Sequence, residues 1–305
     1  MSINHVPFAA LVDGNGKYLI ESQKIRLVTG GRDLLHLPNS HAGTGVAIFA
    51  DPDYELSATK APAGVPLRGG WKKLEHTRTE ANGIAAILKV SPFGEVKLSL
   101  GADATEANVK KVHSPRILHL ATHGTFVQRS SNSSEADLLA PSTRQMAAVN
   151  PLLRSAIILA GANTIVPPGI KAEDGILTAD EAAFLDLAGT DLVVLSACES
   201  GLGDPSSGEG VLGLRRAFFH AGVRSVVASL FAIPDKETSE LMSAFYRGIA
   251  AGKGKASALH EAQLGALNAR RGKDGKLPAH PLFWAGFALV GEGDEIPSAL
   301  SPPPR

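Results

Sequence analysis

Four near-continuous apolar runs constrain this chain more than any other feature: Val46 to Ala50, Ile117 to Ala121, Asp191 to Ser196 and Ser225 to Leu230. A strand with one face in water alternates apolar and polar side chains. A run without alternation belongs to a strand buried on both faces, which is the habit of a parallel sheet covered by helices. The segments between the runs carry helical spacing. Glu75 to Lys89 repeats apolar residues through Ala81, Ile84, Ala85, Ile87 and Leu88, and Leu241, Phe245 and Ile249 recur every four residues within Lys236 to Ala251. Val211 to Ala221 and Ala256 to Ala269 read as two further helices, and Thr105 is placed to cap a helix opening at Ala104 to Ala107.

Val96 to Leu100 and Phe283 to Val290 supply two shorter strands. The expectation is an α/β fold with about six strands in a mainly parallel sheet and helices on both faces. One domain, 45–293, holds that sheet. Ahead of it, residues 1–44 read as an N-terminal β extension, with strands at Ala9 to Val12, Tyr18 to Ile20 and Lys24 to Thr29 around the turn Asp13 to Lys17. Behind it, residues 294–305 form a Pro-rich tail.

Composition narrows the partners. With 305 residues, 44 % hydrophobic and 20 % charged, the chain has the make-up of a globular protein and not of a disordered one. Thirty basic residues balance thirty acidic ones, so no overall field draws it to nucleic acid or to an anionic membrane. No stretch reaches the roughly 18 apolar residues of a membrane span, and Met1 to Leu11 lacks a signal-peptide pattern. The single cysteine excludes an internal disulfide and any multi-cysteine zinc site. These points give a cytoplasmic expectation, with no metal and no cofactor.

In an open parallel sheet, ligands bind beyond the carboxyl ends of the strands. Ile117 to Ala121 delivers His123 and Gly124 there, and Asp191 to Ser196 delivers Cys198. If those strands are neighbours, an imidazole and a thiol enter one crevice, the arrangement of a cysteine nucleophile served by a histidine. The amides of Gly124 and Cys198 are then candidates for an oxyanion hole. The plain alternative makes Cys198 a small buried hydrophobe and His123 a hydrogen-bonded structural residue. His119, inside the apolar run, reads as structural. Gly208 to Gly213 matches G-x-G-x-x-G, but it does not follow directly on a strand and carries Glu209 where a pyrophosphate would sit.

Several ordered stretches resemble the CHAT family, caspase-like domains of bacteria often attached to TPR repeats. They are Ser114 to Gly124, Asp174 to Ala179, Leu195 to Gly203, Gly208 to Val211, Ala221 to Leu230 and His280 to Ala285, within a resemblance from about Arg32 to Gly291. The resemblance implies a caspase-like α/β fold of the clan that holds caspases, separases and gingipains. It implies peptide-bond hydrolysis by a His–Cys dyad, with His123 and Cys198 at the matching positions and Gly124 and Cys198 holding the oxyanion. It explains the glycine run as family loop sequence. Phe231 stands where members often carry tryptophan, and no TPR array precedes the domain, so an activating partner or upstream sensor is expected.

Clan members usually cut after a chosen residue. An acid near the dyad would favour a basic one. Asp235 is the preferred candidate, with Asp174, Asp204 and Glu209 in loops as the others, while Glu199, following the nucleophile, is placed to orient the site or to cap the next segment. The expected function is a cysteine endopeptidase that cleaves a specific protein partner in bacterial signalling or defence. The alternative is a non-catalytic interaction or regulatory module on the same fold. The long loops from Thr125 to Asn150 and from Asn163 to Glu173 are expected to cover the cleft or be nicked.

Overall fold

Two faces of one sheet divide the hydrophobic side chains by simple alternation. The computed structural model of the chain describes residues 6–28, 30, 42–56, 70–126, 155–164, 173–196, 209–231, 233–271, 279–294 and 296. The apolar runs become β1 (Val46–Pro52), β3 (Ile117–Ala121), β7 (Leu192–Leu195) and β8 (Ser225–Ser229). With β2 (Val96–Gly101) and β9 (Phe287–Gly291) they form a six-stranded sheet in the order β2-β1-β3-β7-β8-β9. All pairs are parallel except β8 with β9, which is antiparallel. The expected α/β fold, six strands and mainly parallel, is therefore the fold observed.

Along β1, Val46, Ile48 and Ala50 face one way. They join Ile117, Leu192, Val194 and Val227 under α1 (Thr77–Leu88), α5 (Asp235–Ala250) and α6 (Lys255–Ala269). Ala47 and Phe49 face the other way, with Leu118, Leu120, Val193 and Leu195, against α4 (Glu209–His220). Each fully buried Ile or Leu in these layers is stabilised by roughly 1.5–3 kcal/mol relative to exposure. Thr105 caps α2 (Glu106–Lys110) as expected, its side chain accepting the Asn108 N–H.

The second face also carries a three-stranded antiparallel sheet that the apolar pattern did not announce. It comprises β4 (Gly124–Phe126), β5 (Ser155–Ile158) and β6 (Ile176–Thr178), followed by the short α3 (Ala179–Ala182). Gly210 and Gly213 of the G-x-G-x-x-G match fall within α4, and Gly208 lies outside the described residues. A side chain at Gly213 would come within 2.6 Å of Ser155 Oγ, so glycine there lets α4 lie close on β5.

The N-terminal segment holds single bridges where strands were expected. Val12 pairs with Tyr18 around a turn whose Asp13 carboxylate accepts the Asn15 and Lys17 N–H groups. Phe8–Ala10 and Leu19–Glu21 are 3₁₀ turns, the second closed by reciprocal Tyr18 and Glu21 bonds that divert the backbone from a ladder. Tyr18 and Ile20 pack with Leu267 and Trp284, and Leu27 bonds on both sides to β9, through Leu289 O and the Gly291 N–H. Among the described residues no helix is long and apolar enough to cross a membrane. The tail beyond Ile296 and the Ser130 to Glu135 stretch lie outside the described residues.

Candidate functional site

β3 and β7 are direct neighbours, so the strand ends that lead to His123 and to Cys198 lie side by side at the carboxyl edge. The register runs Ile117 to Leu192 through Leu120 to Leu195, and the Ser196 N–H extends it by donating to Leu120 O at 2.9 Å. Cys198 and Glu199 fall outside the described residues, as do most positions of the two long loops.

Past β3 the chain is held by its own hydroxyls. Thr122 Oγ1 donates to Ile158 O, which commits its one proton, so it accepts from the Tyr54 hydroxyl at 2.9 Å. Burial pushes the Tyr54 hydroxyl up to about 12, which keeps it a donor. His123 follows, 6 % exposed, its ring against Tyr54 (centroids 5.4 Å apart) and Trp71 (5.3 Å). Its Nε2 lies 2.7 Å from the Lys72 carbonyl oxygen. A carbonyl only accepts, so Nε2 carries the hydrogen and, in the neutral ring, Nδ1 is the basic nitrogen. Burial holds the pKa of His123 below its ordinary value; the Lys72 bond and the charge of Asp235 pull the other way.

Gly124 opens β4. Ile158 N–H bonds to His123 O and Gly124 faces Ile157, so Gly124 is a non-hydrogen-bonded ladder position whose N–H points away from β5.

A strap from Trp71 to Arg78 ties this edge together. The Trp71 N–H donates to Asn163 Oδ1 at 3.1 Å, Lys72 supplies its carbonyl to His123, and the His76 N–H donates to Asp235 Oδ2 at 2.6 Å. Lys73 and Arg78 reach the buried Asp51 at the end of β1, at 3.3 and 2.5 Å; Asp51 sits in the left-handed region with φ of 48°.

Of the acids read from the sequence, Asp235 is brought to the site: it starts α5 and its charge bears on His123. Asp174 is turned into its own loop, with Oδ1 accepting the Ile176 N–H at 3.0 Å. Phe231 packs half-buried on the helix-covered core. Sequence reasoning did not single out Tyr54, Trp71, Lys72, Asp51 or Asn163. A run of apolar residues marks a strand, but a backbone carbonyl arriving from an irregular segment leaves no mark in side-chain pattern.

Among the described residues, Glu106, Glu173 and Glu181 gather carboxylates within 4.8 Å of one another. Lys110 Nζ lies between them at 2.7, 2.6 and 2.9 Å and already supplies the cation. Burial and the neighbouring Glu173 push Glu106 up to about 9.

The mouse and human proteins named tetratricopeptide repeat protein 28 are each 25% identical to this chain, over 324 and 317 residues. Those matches cover 97% of this chain and 12% of each relative, so the chain spans about an eighth of their length. Among solved structures, the Arg-specific cysteine proteinase gingipain R aligns over 86% of this chain and 50% of its own, at 10% identity and a TM-score of 0.45. The separase of the Saccharomyces cerevisiae separase–securin complex aligns over 96% of this chain and 15% of its own, at 11% identity and a TM-score of 0.46. The family model described as CHAT domain matches residues 1–292, nearly the whole sequence, and the chain belongs to the CHAT domain family.

Proposed function

We propose that the chain is a cysteine endopeptidase in which His123 and Cys198 form the catalytic dyad. The observation that carries this is the 2.7 Å contact between His123 Nε2 and the Lys72 carbonyl oxygen. The Nε2–H is taken by the Lys72 carbonyl, which leaves Nδ1 as base at the end of the strand paired with the one leading to the sole cysteine.

In this reading Nδ1 takes the Cys198 thiol proton, and the thiolate adds to the scissile carbonyl carbon. The resulting oxyanion is met by the Gly124 and Cys198 amides. Collapse of the tetrahedral intermediate breaks the C–N bond while the imidazolium returns its proton to the leaving amine. Water, deprotonated by His123, then hydrolyses the thioester and regenerates the thiol. A depressed histidine pKa suits the first step, because the neutral base is the populated form at neutral pH.

The substrate is a protein segment. Asp235, whose charge bears on His123, favours a basic side chain beside the cut. Activation comes from a partner chain or sensor, and the enzyme acts in the cytoplasm, where its single thiol stays reduced.

Cleavage of a peptide library tests the proposal. Cys198→Ala is expected to abolish cleavage, and His123→Ala to lower it about 10²–10⁴-fold. Cleavage unchanged in Cys198→Ala would overturn it. A thiol-directed peptide inhibitor separates this reading from a non-catalytic module, which leaves Cys198 unlabelled under any trigger.

A further inference from the structure

We infer that Asn163 is the positioning residue of the His123 site: it clamps the peptide just before Lys72 and so aims the carbonyl that holds the histidine. The inference rests on His123 acting as the base.

Asn163 is 1 % exposed, and its polar groups are committed to the two segments that wall the histidine. Its backbone N–H donates to Tyr54 O at 2.9 Å. Its side-chain Oδ1 accepts the Trp71 N–H at 3.1 Å, while Nδ2 donates to Trp71 O at 3.0 Å and to Glu55 Oε1 at 2.7 Å. Tyr54 and Trp71 are the two rings against His123. One side chain therefore grips both N–H and C=O of Trp71, as a neighbouring strand would, and anchors Tyr54 through its own backbone.

The amide has one workable orientation. Turned over, its oxygen would face the Trp71 carbonyl and the Glu55 carboxylate, two acceptors, and its NH₂ would face an N–H. The turn that carries it is equally specified. Gly161 has φ of 89° and bonds through its N–H to Asp53 O at 2.9 Å; a side chain there would lie 2.9 Å from Leu56 O.

The need for such a clamp follows from the strap. Residues 71–74 have no helix or ladder of their own. The strap is tethered at Trp71 by Asn163, at Lys73 by an exposed side chain reaching Asp51 and at His76 by Asp235. The Asn163 tether is the one that holds the peptide ahead of the Lys72 carbonyl. Release of the first tether frees the carbonyl, and His123 loses the acceptor that selects its tautomer. Only the form with a bare Nδ1 can take the thiol proton, so the loss falls on the chemical step and not on substrate binding.

The test reads the histidine directly, by ¹⁵N NMR of the imidazole in the full chain carrying Cys198→Ala. The signal is assigned by its absence in His123→Ala. The parent is expected to show the Nε2–H tautomer alone. Asn163→Ala is expected to lose it to a mixture of tautomers, and with Cys198 intact kcat falls about 10²-fold with KM little changed. Glu55 is exposed, so Glu55→Ala folds and is expected to give a smaller admixture, because it frees the amide to turn. A folded Asn163→Ala that retains the single tautomer overturns the inference. If Asn163→Ala does not fold, an unaltered tautomer in Glu55→Ala overturns it instead. Because the readout needs no turnover, absence of peptidase activity with an Asn163-dependent tautomer sinks the proposed function and leaves the clamp standing.

Discussion

His119 and His123 belong to one stretch of chain, the first inside β3 and the second just past its end, and their surroundings differ in kind. His119 is fully buried on the helix-covered face. Its Nδ1 lies 3.1 Å from the Tyr246 hydroxyl, and its Nε2 lies 3.0 Å from Glu80 Oε1, an ion-pair distance set off the hydrogen-bond direction. Nδ1 is thus bonded to a buried hydroxyl, while Nε2 lies beside a buried carboxylate without a hydrogen bond among the described residues. His123 meets a backbone carbonyl at Nε2 and aromatic faces on its flanks, just past the carboxyl end of the strand. A histidine whose partners are all buried side chains is part of the core. One whose Nε2 is fixed by a backbone carbonyl has its ring turned by the main chain, with Nδ1 as the basic nitrogen of the neutral form.

The sharpest way to break the comparison is to remove the carboxylate from the core histidine. Glu80 on α1 is fully buried, and Glu80→Ala strips His119 of the carboxylate beside Nε2 while leaving a void. A loss of about 2–5 kcal/mol is expected in urea unfolding, the range for truncating a buried side chain and leaving a cavity. The His123 tautomer should be untouched in the protein that remains folded. A change under 1 kcal/mol, on the order of a surface pair, would mean that His119 does not depend on Glu80.

A smaller effect is expected from Tyr246→Phe. The ring stays packed edge-on to His119 and Phe245, while the hydroxyl that meets Nδ1 is lost. One buried ring nitrogen left without its partner costs about 1–2 kcal/mol. In a double-mutant cycle with Glu80→Ala the two changes should be non-additive, since both act on one imidazole. Additive losses would show that Tyr246 and Glu80 act separately, and the core triad would dissolve into two unrelated contacts.

How far each histidine was legible follows from what surrounds it. The strand holding His119 is a run of consecutive apolar residues, so its burial on both faces was readable. So was the structural reading of a polar residue within that run. The strand-end position of His123 was readable for the same reason, and the pairing of β3 with β7 turned that position into a shared edge. β4, β5 and β6 were not readable. They are three or four residues long, and Gly124-Thr125-Phe126 or Ser155-Ala156-Ile157-Ile158 carries too few positions for a period to emerge. The clamp was invisible for a different reason: Lys72 contributes only its carbonyl, which any residue would supply, and Asn163 acts across 92 positions on Trp71.

The comparison sharpens last, and most gently, at Asp235. Burial holds the His123 pKa below its ordinary 6.5, and the Asp235 charge offsets part of that. As pH falls through about 6.5 the unfolded chain takes up the proton first. His123 therefore makes stability fall as pH drops from there toward its folded pKa, and adds no pH dependence above. Asp235→Asn keeps an oxygen to accept the His76 N–H but removes the charge that favours the imidazolium, so the folded pKa should fall further. The acid limb of kcat/KM, and the His123 NMR titration beneath it, should both move to lower pH. A limb that moves up, or one that moves without the NMR titration, would show that Asp235 acts on substrate rather than on His123. Loss of a charge that recognises a basic side chain would raise KM for that substrate at every pH, whereas loss of a charge that tunes the base displaces the limb. The two roles of Asp235 are separable in one profile.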